Sequence, residues 1–179
     1  MIMMNTEKFD FTKISMNGRL AYTIMCAERY AIANYPLKEW KRLFSWLWKA
    51  TSSFYDEWYY RFMEILPEYL YEFKNYEDSN FDYLSKEDYM FYYELLKDVD
   101  VNMKTLIKIP TDISMIYSYM PIPGIGEDSI KLVNKSIKIL KNKMIELPDP
   151  TQILFSSFEE KNGWGEQFDG KKLSIICNN

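Results

Sequence analysis

The chain has no histidine among its 179 residues. That excludes Ser-His-Asp and Cys-His catalysis, histidine-ligated zinc and any histidine-based pH switch. Cysteine is nearly as scarce, with Cys26 and Cys177 far apart, so a disulfide framework is excluded and both read as free thiols of a reducing cytosol. Six glycines and seven prolines rule out fibrous and low-complexity classes. Long apolar runs are missing too. The longest uncharged stretch, residues 113–126, carries Pro121, Pro123, Gly124 and Gly126 and is too short to span a bilayer. Near the start, Asn5, Glu7, Lys8 and Asp10 follow the opening methionines at once, so no signal peptide is expected. These absences predict a soluble, cytoplasmic protein without a cofactor.

What is present is apolar and aromatic. Hydrophobic residues make up 47% of the chain and aromatics 17%, and a single domain of this size buries roughly 70% of its unfolded surface. Helical periodicity dominates. Residues 14–34 place Leu20, Ile24, Ala27 and Ala31 on one stripe, with Ala21, Met25 and Ile32 beside it, and Tyr35-Pro36 ends the run. Leu37, Trp40, Phe44, Leu47 and Trp48 mark a second helix to about Thr51. Trp58, Phe62, Ile65 and Tyr69 mark a third over 56–73, with a kink or break expected at Pro67. Ser85 before Lys86-Glu87-Asp88 is a capped helix start running to about Asp98. Residues 101–119 predict a helix interrupted at Pro110. A last helix over 127–146 has Ile130, Val133, Ile137, Leu140 and Met144 inward, and Pro148 and Pro150 follow it.

The tail changes character, with short apolar runs at 152–158 and 172–177 around a connection holding Gly163, Gly165 and Gly170. The predicted fold is mainly α: a single-domain bundle of about 5–7 helices over residues 1–150, with residues 151–179 as a short β-hairpin or extended segment packed on the same domain. Trp164 reads either as cover for the helical core or as an anchor for a partner.

Charge is unevenly distributed. The net charge of −4 divides into +4 for residues 1–55, −9 for 56–100, +3 for 101–147 and −2 for 148–179. The −9 block also holds fourteen of the 31 aromatics. Adjacent pairs such as Tyr59-Tyr60 and Tyr92-Tyr93 cannot both face a core, so some of these rings must reach the surface beside carboxylates. Tyrosine offers rigid contact area with a polar tip, and acids around it steer a basic partner. The competing reading is a solvated acidic face with boundary tyrosines.

Other signals point less sharply to chemistry. Pro123-Gly124-Ile125-Gly126 before a helix is similar to the phosphate-holding turn of helix-hairpin-helix modules, and Lys131, Lys135 and Lys138 line one face of that helix. Glu127 and Asp128, however, stand where a phosphate would approach. Residues 77–82 are acidic without the order or terminal glutamate of an EF-hand. No carboxylate spacing marks a general acid–base pair. Arg19, Glu28 and Arg29 are charges in an otherwise apolar helix and read as a partly buried ionic network or as side chains reaching outward.

The opening helix with Arg19-Leu20-Ala21 and Ala27-Glu28-Arg29, the tryptophans Trp40, Trp46 and Trp48, and the acidic tyrosine-rich middle resemble the small helical immunity proteins of bacterial polymorphic and contact-dependent toxin systems. The resemblance covers roughly the first 100 residues. It implies a cytosolic, non-catalytic protein that binds one cognate toxin domain and blocks its active site or substrate surface. With the charge pattern it gives the leading expectation, an antitoxin that meets a basic nuclease through Asp56, Glu57, Tyr59, Tyr60, Glu64, Glu68, Tyr71, Glu87, Asp88, Tyr92 and Glu94. The alternative is a nucleic-acid-binding module that uses Gly124, Gly126 and the lysine-faced helix. Neither reading needs a metal, and neither predicts an enzyme.

Overall fold

A computed structural model describes residues 9–53 and 55–178, except for the side chains of residues 55 and 56. The described chain is helical: α1 (Met16–Asn34), α2 (Lys41–Trp48), α3 (Tyr55–Met63), α4 (Pro67–Leu70), α5 (Lys86–Leu96), α6 (Val101–Ile116) and α7 (Glu127–Asn142), joined by turns and short 3-10 segments. No helix among the described residues is long and apolar enough to cross a membrane.

The centre of the fold is α1. Ser15 caps it by accepting from the Gly18 amide at 3.0 Å, and fourteen of its nineteen residues are buried. A helix buried nearly all round is a core element rather than an amphipathic one. Its small residues let neighbours approach: α6 and α7 pack along it, α2 crosses it, and Ala21, Ala27 and Ala31 are fully covered. Only the last turn emerges, where Ile32 is exposed instead of joining the inner stripe.

Local signals place most boundaries. Pro67 occupies the first turn of α4, where its missing N–H costs nothing, and so it divides the 56–73 run into α3 and α4. Ser85 caps α5 through the Asp88 amide. Pro110 does not interrupt α6, which runs unbroken to Ile116. Its buried flank of Leu106, Ile107, Ile109 and Ile113 is held against the core, and burial there outweighs one missing helical hydrogen bond. Leu37 and Met144 were expected inside and are almost fully exposed. Leu37 lies in the turn before α2 starts at Lys41, and Met144 falls past the end of α7 with φ of 55°.

The tail departs most from expectation. Among the described residues there is no strand, and residues 151–178 form neither a hairpin nor a second layer; the one bridge pairs Ile14 with Ser157. Instead the tail is a string of 3-10 turns. Asp149 and Asp169 start two of them by accepting the Thr151 and Lys171 amides, which diverts the backbone from a ladder. Other polar groups of the tail bond to the helical body. Ser15 N–H donates to Ser156 O, Phe158 N–H to Lys13 O, Asn17 N–H to Trp164 O and Phe168 N–H to Thr51 O. The Ser15 and Ser156 hydroxyls meet at 2.6 Å.

Gly165 is the tightest of these crossings. It has φ of +76°, and a Cβ there would lie 2.5 Å from the Ser15 Cβ. Gly165→Ala therefore meets left-handed strain and overlap with the Ser15 side chain together, with an expected loss of about 3 kcal/mol. A denaturant titration reporting less than about 0.5 kcal/mol would show that the tail lifts away without cost to the rest.

Candidate partner-binding surface

The acidic block folds into a lobe made of α3, α4, α5 and the connection between α4 and α5. Aromatic rings stitch it together: Tyr71 meets Tyr93 at 4.7 Å, Tyr89 meets Tyr93 at 5.6 Å, and Tyr76 meets Tyr89 at 5.7 Å between centroids. Glu64 closes the connection by accepting the amides of Asp82, Tyr83 and Leu84 at 2.7, 3.0 and 2.8 Å. Of the block's acids whose side chains are described, twelve in number, nine are exposed. Beside them stand Tyr60, Tyr69, Tyr83 and Met90, all exposed.

The eleven predicted contact residues separate by role. Glu57, Tyr60 and Glu87 are exposed, and Glu94 is exposed and pairs with Lys97 at 3.8 Å. Glu68 is exposed and pairs with Lys108 at 2.8 Å. Glu64 is a loop clamp. Asp88 pairs with Arg42 and accepts from the Ser85 hydroxyl, which ties α5 to α2. Tyr71 is half-buried and donates its hydroxyl to Tyr93 O. Two predicted contacts are corrected outright. Tyr92 is 1% exposed and Tyr59 8%, so both belong to the core and cannot meet a partner. Tyr92 shares the inner face of α5 with Tyr89 and Leu96, and Tyr59 lies on the α3 side that meets α6 and Met115. Of the adjacent pairs, Tyr59-Tyr60 divides into one inward and one exposed ring, whereas Tyr93 beside Tyr92 is half-buried and packs on Tyr71 and Tyr89. The side chain of Asp56 lies outside the described residues.

Tyr76, Tyr89, Tyr93 and Glu77 were not among the predicted contacts, yet they line one cleft on this lobe. Tyr89 and Tyr93 are four apart on α5, a spacing that sets both rings on one face and was readable in the sequence. The contribution of the 74–77 turn was not.

The turn at 123–126 is structural. Gly126 caps α7 with φ of 70°, and the carbonyls of Ile125 and Gly126 accept Nη1 of the fully buried Arg19 at 2.7 and 3.2 Å. The Glu127 carboxylate lies against Gly124, and Lys131 pairs with Asp128 at 2.7 Å. The Asp128 amide at the start of α7 donates to the Tyr117 hydroxyl at 3.3 Å. Among the described residues no cluster of His, Cys, Asp and Glu has the makeup of a metal site.

No protein-family profile matches the chain, and no curated protein or solved structure matches it. The surface has to be read from its own residues.

Two buried charges in α1 hold the scaffold behind it. Arg19 also donates to Phe11 O at 3.1 Å and Ser129 Oγ at 2.8 Å and sits over the Phe158 ring. Burial lowers its pKa to about 10, with Tyr117, Glu127 and Asp10 opposing the shift, so it stays charged at neutral pH. Glu28, also fully buried, accepts Trp48 Nε1 at 2.8 Å, Ser174 Oγ at 2.5 Å and the Ile175 amide at 2.8 Å. Burial raises its pKa and these donors pull it back only in part. The two form no mutual pair; nine residues apart, they stand about 13 Å from each other along the helix. Arg29 alone turns outward, to Glu146 at 3.4 Å.

Proposed function

We propose that this chain is an immunity protein that binds and neutralises a cognate toxin domain, a basic nuclease, through the exposed acids and tyrosines of the α3–α5 lobe. The observation that carries the reading is the concentration of eight exposed carboxylates on one aromatic-stitched lobe of a chain whose neighbouring segments are net basic. A nuclease presents a positive surface because it binds phosphate. A rigid acidic surface competes for that site and speeds encounter. The residues left for contact are Glu57, Tyr60, Glu68, Glu87 and Glu94, while Glu64 and Asp88 serve the lobe's own structure.

The function is tested by growth. The C-terminal domain of the polypeptide encoded beside this chain is expressed alone and together with it; toxicity that co-expression abolishes supports immunity, and toxicity without rescue refutes it. The mechanism is tested by a triple variant, Glu57→Lys, Glu87→Lys and Glu94→Lys, which spares every buried contact named above. Its association rate at low salt is expected to fall about tenfold or more, with a flatter salt dependence. A variant that associates with unchanged rate and salt response would remove the acidic surface from the mechanism.

A further inference from the structure

A cavity of about 570 Å³ lies between the tail and the helical body, well within the range of small-molecule pockets. The tail borders it as a strap pinned at both ends. At one end Asn17 N–H donates to Trp164 O at 3.1 Å, and Asn17 Nδ2 reaches Gly165 O and Glu166 O at 3.3 and 3.4 Å. At the other, Phe168 N–H donates to Thr51 O at 2.9 Å and Gly170 N–H to Thr51 Oγ1 at 3.0 Å. The turn that leads into the strap is strained. Lys161 and Asn162 hold left-handed φ of 46° and 55°, two of the three non-glycine residues that do so among those described. Strain of this kind persists only where the surroundings impose it, and it gathers at ligand sites. With both ends fixed, the strap keeps the space from collapsing to the close packing of an interior.

We infer that this cavity binds an uncharged, planar heterocycle with an N–H donor beside a carbonyl acceptor, as in a lactam. Trp164 of the strap and Trp58 of α3 supply aromatic surface, and Leu20 and Ala50 supply aliphatic surface, a lining that favours a flat ring. The charged residues of the lining among those described, Lys161 and Glu166, pair with each other at 3.4 Å. An ion entering the aromatic part would therefore lose water without gaining a free counter-charge. The polar groups set the edge of the ligand. Asn17 turns its amide nitrogen to two carbonyls, which leaves Oδ1 to accept. Ser118 gives its hydroxyl proton to Met115 O at 2.8 Å, so its oxygen accepts too. The Trp164 indole N–H and the Gln167 amide make no side-chain hydrogen bond among the described residues and are left to donate. Asn17, Ser118 and Trp164 are half-buried and Gln167 is exposed, so these groups are open to a solute. The inference does not rest on the proposed function.

The test uses the full chain and quinolin-2-one, a neutral planar lactam, with the tryptophan indole N–H signals in NMR as the readout. Three relatives each lack one feature: the N-methyl derivative has no donor, octahydroquinolin-2-one is not flat, and 2-oxoquinoline-4-carboxylate is charged. Quinolin-2-one should shift the Trp58 and Trp164 signals to saturation, with a Kd of about 1 mM or tighter, while Trp40 and Trp48 stay in place. Each relative should bind about fivefold or more weakly. Ser118→Ala should weaken quinolin-2-one about threefold. Ser118→Phe, which fills the cavity from just past α6, should abolish binding with the melting temperature held. Shifts that do not saturate, a relative that binds as well as quinolin-2-one, or undiminished binding by either Ser118 variant would each overturn the assignment.

Discussion

Glu28→Ala is expected to lose about 4 kcal/mol of stability, the range seen when a buried, hydrogen-bonded charged group is removed from its partners. The truncation strands three donors at once, from Trp48, Ser174 and the Ile175 amide, in a site closed to water. It also unlatches the C-terminal turns, because Ser174, held by Glu28, itself accepts the amides of Ile176 and Cys177. Two readings check this: a urea titration, and the rate of tryptic cleavage at Lys171 and Lys172, which should rise even where the core remains folded. A loss below about 1 kcal/mol would mean that the carboxylate is not the latch. Glu28→Gln adds a pH signature. Burial raises the folded-state pKa of Glu28 above the unfolded value of 4.5, so the folded state takes up the proton first as pH falls. The stability of the native chain relative to the glutamine variant is therefore greatest below pH 4.5 and declines as pH rises through the raised value. The opposite slope would contradict a desolvated carboxylate.

Arg19→Met is expected to cost about 3–5 kcal/mol. Methionine fills much of the volume but leaves the carbonyls of Phe11, Ile125 and Gly126 and the Ser129 hydroxyl without their charged donor. Melting should fall by about 2–4 °C for each kcal/mol lost in a chain of this length. Arg19→Lys should recover only part of the loss, since one ammonium cannot replace a fork that reaches carbonyls on both sides. Full recovery by lysine would show that only the charge mattered. Because the 123–126 turn is organised by this side chain, its amides should become more exchangeable in Arg19→Met while those of α5 keep their protection.

Legibility followed the range of the determining interaction. Ser85, Pro67 and Tyr35-Pro36 act within a turn of themselves, and the boundaries of α5, α4 and α1 were readable from them. The reach of a stripe was less readable. Ile32, Leu37 and Met144 fit a helical period but fall where the helix leaves the bundle or has ended. The candidate surface divides in the same way. The charge of residues 56–100 is a property of composition, and the exposure of Glu57, Tyr60, Glu87 and Glu94 follows it. That Tyr59 and Tyr92 turn inward depended on which faces of α3 and α5 met α6, Arg42 and the rest of the core.

The sequence by itself determined a mainly helical chain, the absence of histidine chemistry and an acidic, aromatic middle, because composition and short-range periodicity carry all three. Tertiary structure alone decided that the tail would be turns and not strands, that Arg19 and Glu28 would be buried apart, and that Tyr76, Tyr89 and Tyr93 would close around one cleft. The physical reason is that unpaired backbone and charged groups take partners from whatever packs beside them. Arg19 found carbonyls more than a hundred residues away, and Glu28 found its donors in Trp48 and the end of the chain.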